Sequence, residues 1–258
     1  MTSYRAGTPS WIDVMPTDAE AARAFYGALF GWEFDIGPEE AGHYAMATVR
    51  GKTVAGIGGH PAPDAPVAWT TYFATDDADA TAAAITEAGG TVVVAPMDVM
   101  DNGRLAVALD PGGAVVGLWQ ARKHRGAQVV NEPVSLVWSE LNSPHLDAAE
   151  SFYTRVFGYE VSQEGDGEQW DYRTFSLPGT HYPLGGMMPL PAPEVPPHWG
   201  VYFAVADTDA TVAKGRELGA TILREATDSP YGRSGVIQDP QGAVFTAMTP
   251  SFVPPNPE

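Results

Sequence analysis

The sequence predicts an α+β protein of two tandem domains, each built from two βαβββ units. Residues 11–32 repeat 127 positions later as residues 138–159, and the rest of each half repeats at nearly the same offset. Within each half, one order of strand, helix and three strands occurs twice. A repeat of this length indicates a duplicated domain, because solenoid units span about 20–50 residues.

The first unit opens with an apolar strand around Trp11–Met15. A helix follows, capped near Thr17 or Asp18, with apolar residues at helical spacing up to Leu29, and Gly31 ends it. Three short strands separated by glycine-containing turns are expected next, at Glu33–Ile36, Tyr44–Val49 and Thr53–Gly58.

The second unit repeats this plan, with a strand at Trp69–Thr75 and a helix over Asp79–Ala88. Its three strands are expected at Thr91–Val94, Arg104–Leu109 and Ala114–Trp119. In the second half the two units fall at about 135–188 and 199–248. We therefore expect a first domain over 1–122, a linker over 123–133, a second domain over 134–250 and a disordered tail over 251–258.

Composition argues against several classes of partner. The formal net charge is −18 and the 14 Lys and Arg residues form no basic cluster, which disfavours nucleic acid and anionic membranes. No run approaches the roughly 18 apolar residues of a membrane span. The chain has no cysteine and no apolar leader after Met1, so we expect a cytoplasmic protein.

Several motifs together carry a family resemblance. The first helix contains Phe25-Tyr26 and Leu29-Phe30-Gly31, which return in the second half as Phe152-Tyr153 and Val156-Phe157-Gly158. The second half also repeats a turn of the first: Asp110-Pro111-Gly112-Gly113 returns as Asp239-Pro240-Gln241-Gly242. The chain resembles the vicinal oxygen chelate superfamily of glyoxalases, bleomycin resistance proteins and extradiol dioxygenases. Its tandem form looks like the glyoxalase-like proteins of actinomycetes that are labelled hydroxylases. The resemblance implies a curved, cup-like mixed sheet in each domain, with a ligand on its concave face, in a monomer with paired domains or a homodimer.

Metal-using members of the superfamily place ligands at defined points of the concave strands. Those points fall on residues that do not bind metals here: Trp11, Thr70 and Gly117 in the first half, and Trp138, Gly200 and Thr246 in the second. We therefore expect no metal cofactor, with a divalent metal held by relocated ligands as the alternative. His60, His181 and His198 lie next to predicted inner strands and are the candidates for such ligands, whereas His43 and His145 are expected in loops.

Two carboxylates are the candidate acid or base groups. Asp13 and Glu140 follow the opening tryptophans by two residues and therefore share a strand face with them. In the alternative interpretation they cap a helix or pair with an arginine. Arg104 and Arg233 recur in a repeated Gly-Arg context, and we expect them to face the cups near these carboxylates, either as ligand anchors or as structural partners.

Aromatic residues and methionines are abundant where the cups are expected, which suits a flat or hydrophobic molecule. The predicted ligand-binding residues, besides the two arginines, are Trp11, Trp138, Tyr44, Tyr172, Trp69 and Met187. The favoured function is a binding protein that holds a small hydrophobic or aromatic molecule in a metal-free cup. The alternative is a superfamily enzyme, such as a glyoxalase-like lyase or a dioxygenase, acting on a small carbonyl or aromatic substrate.

The loss of the ligand positions in both copies makes a prediction about metal content. Protein purified without chelators or added metal should hold no stoichiometric Zn, Ni, Fe or Mn, which elemental analysis checks. One metal ion per half would contradict this expectation.

Overall fold

A computed structural model describes residues 4–62, 64–167, 170–180 and 182–253. The first half contains helices α1 (Ala19–Phe30) and α2 (Ala78–Glu87). Its strands are β1 (Pro9–Val14), β2 (Glu33–Ile36), β3 (Ala45–Val49), β4 (Lys52–Ile57), β5 (Trp69–Ala74), β6 (Thr91–Val99), β7 (Gly103–Leu109) and β8 (Val115–Ala121). None of the helices in the described ranges is long and apolar enough to span a bilayer.

The second half repeats the same elements, with helices α3 (Leu146–Phe157) and α4 (Thr208–Glu217). Its strands are β9 (Leu136–Ser143), β10 (Glu160–Glu164), β11 (Tyr172–Ser176), β12 (Gly185–Pro189), β13 (His198–Ala204), β14 (Thr221–Ser229), β15 (Gly232–Gln238) and β16 (Val244–Pro250). Residues 254–258 of the predicted tail lie outside the described residues.

Each half forms one eight-stranded mixed sheet, which confirms the predicted α+β fold of paired βαβββ units. The strand order is β2-β3-β4-β1-β5-β8-β7-β6 in the first sheet and β10-β11-β12-β9-β13-β16-β15-β14 in the second. The opening strands of the two units, β1 and β5, pair antiparallel at the centre, and β4 and β8 flank them in parallel. Each sheet curves into an open cup.

Local chemistry fixes the helix ends near the predicted positions. Asp18 accepts a hydrogen bond from the Ala21 amide at the start of α1, and Asp77 and Asp207 cap α2 and α4 in the same way. Gly31 ends α1 in the left-handed region, with φ of 74°, where a side chain would be strained. Strand β6 runs five residues further than predicted. The strand continues through Pro96, which has no amide hydrogen to donate. Its pairing with β7 shifts register between Val94 and Met97, so no regular hydrogen bond is required at Pro96.

The predicted linker packs against the first sheet. Ala127, Val129 and Val130 are buried in the core, and the amides of residues 127 and 128 donate to the carbonyls of Ser10 and Thr53. The linker packs against the sheet because burial of these three apolar side chains removes their surface from water.

The two halves meet through contacts of α1 with α4, of α2 with α3 and of β5 with β13. One core cluster joins the first unit of the chain to the last, for example through Phe30 and Phe203, whose ring centres lie 5.1 Å apart. The other cluster joins the second unit to the third, where the ring centre of Phe73 lies 5.3 Å from that of Phe157. Both hydrophobic clusters therefore cross the boundary between the halves.

Two crossed hydrogen bonds fix the halves together. The Tyr26 hydroxyl on α1 donates to Asp239 Oδ2 at 2.8 Å, and Tyr153 on α3 donates to Asp110 Oδ2 at 3.0 Å. The other oxygen of each aspartate accepts two backbone amides of its own Asp-Pro turn. The helix motif of one half is thus the docking partner of the turn motif of the other.

Removing either tyrosine hydroxyl should weaken this docking. Tyr26→Phe and Tyr153→Phe each leave a buried carboxylate oxygen short of a donor, so each should lower the free energy of unfolding by about 1–3 kcal/mol. Urea unfolding of both variants checks this. Tyr231→Phe, at an exposed tyrosine, is the matched control and should unfold like the wild type. Wild-type stability in both core variants would contradict the docking role.

Candidate functional site

The face of each sheet turned away from the helices carries a cluster of aromatic side chains around one carboxylate. In the first half, which forms the first cup, Asp13 on β1 lies between Gly56 on β4 and Thr70 on β5. Trp11 lies beside Tyr72, and Tyr72 lies beside Gly117 on β8. The alternation of β1 places Trp11 and Asp13 on this face and Ile12 on the helix side.

The first cluster is linked by hydrogen bonds. Trp11 Nε1 donates to the Tyr44 hydroxyl at 2.9 Å, and Tyr44 donates to Asp13 Oδ2 at 3.1 Å. Tyr44 lies directly over Gly56, where a Cβ atom would come within 1.8 Å of the hydroxyl oxygen. Glycine at position 56 is therefore a condition for this arrangement.

The second half repeats the cluster in its own cup, the second cup. Trp138 Nε1 donates to the Tyr172 hydroxyl at 2.9 Å, and Tyr172 donates to Glu140 Oε2 at 2.9 Å. Tyr202 donates to the other oxygen, Glu140 Oε1, at 2.5 Å. Gly186 under Tyr172 corresponds to Gly56 under Tyr44.

The carboxylates of Asp13 and Glu140 differ in the number of hydrogen bonds that they accept. Glu140 accepts a hydrogen bond on each oxygen, but Asp13 Oδ1 is buried and has no hydrogen-bond partner among the described residues. Tyr72, the counterpart of Tyr202, lies close enough to lower the pKa of Asp13 but makes no well-aligned hydrogen bond to it. Aspartate is one methylene shorter than glutamate, which explains the missing bond.

Burial dominates the electrostatics of both carboxylates. Loss of hydration raises the pKa of Asp13 from its ordinary 3.8 to about 7, against the opposing hydrogen bond from Tyr44. Burial also raises the pKa of Glu140, while Tyr202, Tyr172 and the charge of Arg224 lower it. Asp13 therefore exchanges its proton near neutral pH, which is common at functional sites.

The predicted arginines do not face the cups. Arg104 makes a two-bond ion pair with Asp79 in the first turn of α2 and contacts Asp98, and Arg233 pairs likewise with Asp209 and Asp228. Both lie on the helix side of their sheets. The expectation that they approach Asp13 and Glu140 is wrong, because Leu105 and Ser234, their neighbours in sequence, occupy the cup face.

Two other predicted cup residues belong to the core. Trp69 is buried on the helix side and donates from Nε1 to the Tyr26 hydroxyl at 3.1 Å. Met187 is fully buried and pairs in register with Leu141, which also faces the helices. The expectation that Trp69 and Met187 lie in the cups is therefore wrong, whereas ligand-binding roles for Trp11, Trp138, Tyr44 and Tyr172 stay predictions.

Sequence reasoning missed four residues at the cups. Tyr72 and Tyr202 repeat between the halves, so the repeat itself was a usable signal. Arg224 is the arginine beside Glu140, and it also donates to Ser234 Oγ at 3.1 Å. His124, inside the predicted linker, packs edge-on against Trp11 with ring centres 4.3 Å apart. Burial lowers the pKa of His124 to about 4, so its ring is neutral at pH 7.

Those predicted histidines that the structure describes do not converge on either carboxylate cluster. His60 and His198 are hydrogen bonded to the backbone carbonyls of Ala65 and Pro196. His145 precedes α3 without a side-chain cap, His43 lies in the loop before β3, and His181 lies outside the described residues.

The residues in the cups do not fit a divalent metal site. Such a site needs several lone-pair donors that converge on one point, and each cluster offers a single carboxylate. Burial raises the pKa of Tyr44 and Tyr72 well above the usual range, so both phenols keep their protons. Within the described part of the chain, no group of three or more His, Cys, Asp or Glu side chains could hold a metal ion.

The raised pKa of Asp13 makes stability depend on pH. The folded state binds the Asp13 proton more tightly than the unfolded state, so this group destabilises the fold increasingly as pH rises from about 4 to 7. Asp13→Asn should therefore stabilise the protein at pH 8, by an amount on the order of 2–4 kcal/mol, and much less at pH 4.5. Thermal and urea unfolding at both pH values measure this.

The matched control is Glu140→Gln, in the cup where both carboxylate oxygens are already bonded. It should show a smaller gain at pH 8 than Asp13→Asn. Equal effects of Asp13→Asn at the two pH values would show that Asp13 is ionised throughout.

Comparisons with known proteins agree with this architecture. The family profile described as Glyoxalase/Bleomycin resistance protein/Dioxygenase superfamily matches residues 8–118 and again residues 122–246. CFP32 of Mycobacterium bovis, which bears the name glyoxylase, is 43% identical over 97% of both chains. The anthracycline biosynthesis protein DnrV of Streptomyces peucetius is 37% identical over 96% of this chain and 95% of its own.

Solved structures show the same fold at low identity. The Mn(II)-bound glyoxalase from Novosphingobium aromaticivorans has a TM-score of 0.64 at 20% identity and covers 95% of this chain and 83% of its own. The 2,3-dioxygenase LapB from Pseudomonas sp. KL28 has a TM-score of 0.66 at 14% identity, with 98% and 96% coverage. The paired units, the crossed Tyr-Asp contacts and these matches in both halves lead to one conclusion: the chain belongs to the glyoxalase/bleomycin resistance protein/dioxygenase superfamily.

Proposed function

We propose that the protein binds a small hydrophobic or aromatic molecule in its cups. The observation that carries this proposal is the composition of the cups, where aromatic rings surround one buried carboxylate. Rings bury large apolar areas and stack on flat molecules, while the carboxylate supplies one polar contact that orients the ligand.

The names of related proteins support an aromatic ligand. DnrV and its Streptomyces relative DauV, 36% identical to this chain, are named for anthracycline biosynthesis. Both cover at least 95% of this chain and of their own length, so the relationship includes both halves.

Tryptophan fluorescence tests the proposal. Binding of planar aromatic probes should quench the emission, and Trp11→Phe and Trp138→Phe should reduce the quenching because these rings lie at the carboxylate clusters. Trp32→Phe is the control, since Trp32 lies in the core between the halves and donates to the Val134 carbonyl. Full quenching in the Trp11→Phe, Trp138→Phe double variant would place the ligand elsewhere, and no quenching by any probe would refute the proposal.

A metal-independent enzyme is the second candidate function, favoured by the pKa of Asp13 near 7. A general base works best with a pKa close to the operating pH. The glyoxylase name of CFP32 agrees with an enzyme as well. Mass spectrometry of a bound probe after prolonged incubation separates the candidates, because binding alone returns the probe unchanged.

A further inference from the structure

We propose that a polar cavity at one edge of the first sheet binds a small zwitterion, a molecule that carries a carboxylate and an ammonium group as amino acids do. This edge cavity is lined by Ser10, Asp76, Gln120, Arg122 and Arg125, among other residues. The carboxylate binds the two arginines, and the ammonium group binds the aspartate. No residue bonded to the carboxylates of the two cups lines the edge cavity, so the site goes beyond the proposed function.

The edge cavity lies where three strands of the first sheet have their ends. Ser10 near the start of β1, Ala74 at the end of β5 and Gln120 near the end of β8 line it. These ends meet because β1 runs antiparallel to β5, and β5 runs parallel to β8. The cavity volume is about 220 Å³, whereas one water molecule takes roughly 30 Å³ in the liquid. The cavity therefore has room for a small organic molecule.

The segment that follows β8 forms another wall and is held in place by hydrogen bonds. The amides of Arg122 and His124 donate to the Asn102 carbonyl, and Trp119 Nε1 donates to the His124 carbonyl at 2.8 Å. The chain then turns back at Gly126, whose φ of 97° would strain any other residue. The arginines of this segment therefore extend from a fixed backbone.

One positive and one negative charge in the edge cavity lack a counter-ion. The side chains of Arg125 and Asp76 both line the cavity, and neither forms a hydrogen bond or an ion pair with another described residue. The neighbouring cations are paired, because Arg122 contacts Asp98 at 2.9 Å and Lys123 contacts an aspartate of the preceding turn. The cavity thus offers one free cation and one free anion, which together complement a zwitterion.

Further donors at the edge cavity suit a carboxylate. The bond to Asp98 uses only Nη2 of Arg122, so the remaining N–H groups of this guanidinium are available. Gln120 Oε1 accepts from the Ala78 amide at 3.1 Å, which leaves the NH₂ group of the same side chain as a donor. A planar guanidinium matches the two oxygens of a carboxylate. The donors of the cavity therefore favour a carboxylate over an uncharged polar group.

The second half shows that the fold does not require this polar lining. Its strands pair in the same register as those of the first half. The lining residues change there to apolar or uncharged ones, namely Ser10 to Val137, Thr75 to Val205, Asp76 to Ala206 and Arg122 to Ser251. Val137 and Val205 are buried, so apolar packing completes this edge of the second sheet. Packing alone therefore does not explain the charged groups of the first half.

Titration calorimetry at low salt with three probes tests the inference. The zwitterion 4-aminobutyrate carries both charges, whereas butyrate has only the carboxylate and n-butylamine only the ammonium group. Wild-type protein should bind 4-aminobutyrate at least about 10-fold more tightly than either single-charge probe. High salt should weaken this binding, because Asp76 and Arg125 are exposed to solvent and their interactions are screened.

Two substitutions at exposed positions locate the site. Arg125→Ala should weaken binding of 4-aminobutyrate by about 10-fold. Asp76→Ala should abolish the preference for 4-aminobutyrate over butyrate without weakening the binding of butyrate. Arg155→Ala removes the same charge from an exposed position on α3 and is the matched control, so it should leave all three affinities unchanged. Urea unfolding checks that each variant folds like the wild type.

Three results would overturn the inference. Equal affinity of the wild type for 4-aminobutyrate and butyrate would contradict the zwitterion assignment. An equal loss of affinity in Arg155→Ala and Arg125→Ala would attribute binding to overall charge instead of the edge cavity. Failure of all three probes to bind the wild type would refute the site, while the binding of aromatic molecules in the cups, which is measured with other probes, would be unaffected.

Discussion

The crossed hydrogen bonds between tyrosine and aspartate are the constraint on which the arrangement of this protein depends. Tyr26 reaches Asp239 and Tyr153 reaches Asp110, so each half supplies both a donor and an acceptor to the other. Each aspartate also organises its own turn through two backbone amides. One pair of contacts thereby couples the helix position, the turn conformation and the docking of the sheets, and leaves the opposite sheet faces open as cups.

On those open faces, each half carries an internal hydrogen-bond chain that ends on one carboxylate. Trp11 and Asp13 on β1 and Tyr44 directly before β3 form the chain of the first half, and Gly56 makes room for the central ring. The chain retains one carboxylate in apolar surroundings, and burial brings its pKa to about 7. The carboxylate and the rings bonded to it thus form one connected cluster on the open face of each sheet.

Duplication has let the two cups diverge without changing the fold. The backbone registers of the halves correspond strand by strand, yet one methylene in Glu140 closes a hydrogen bond that Asp13 leaves open. Arg224 takes the place of Val94 in the first half. These changes lie on the cup side, whereas ring contacts between the halves, such as Phe30 with Phe203, lie on the helix side.

The sequence by itself determined the duplication, the order of elements and the pairing of Trp11 with Asp13 on one strand face, since these follow from local periodicity and from turn and cap residues. It could not assign Arg104, Trp69 or Met187 to a face, because a shift of one residue in strand register exchanges the two faces. The sequence could not predict either that Asp13 Oδ1 has no hydrogen-bond partner among the described residues. Only the tertiary structure decides which side chains from distant strands meet, because hydrogen-bond partners are set by distances that local sequence patterns do not encode.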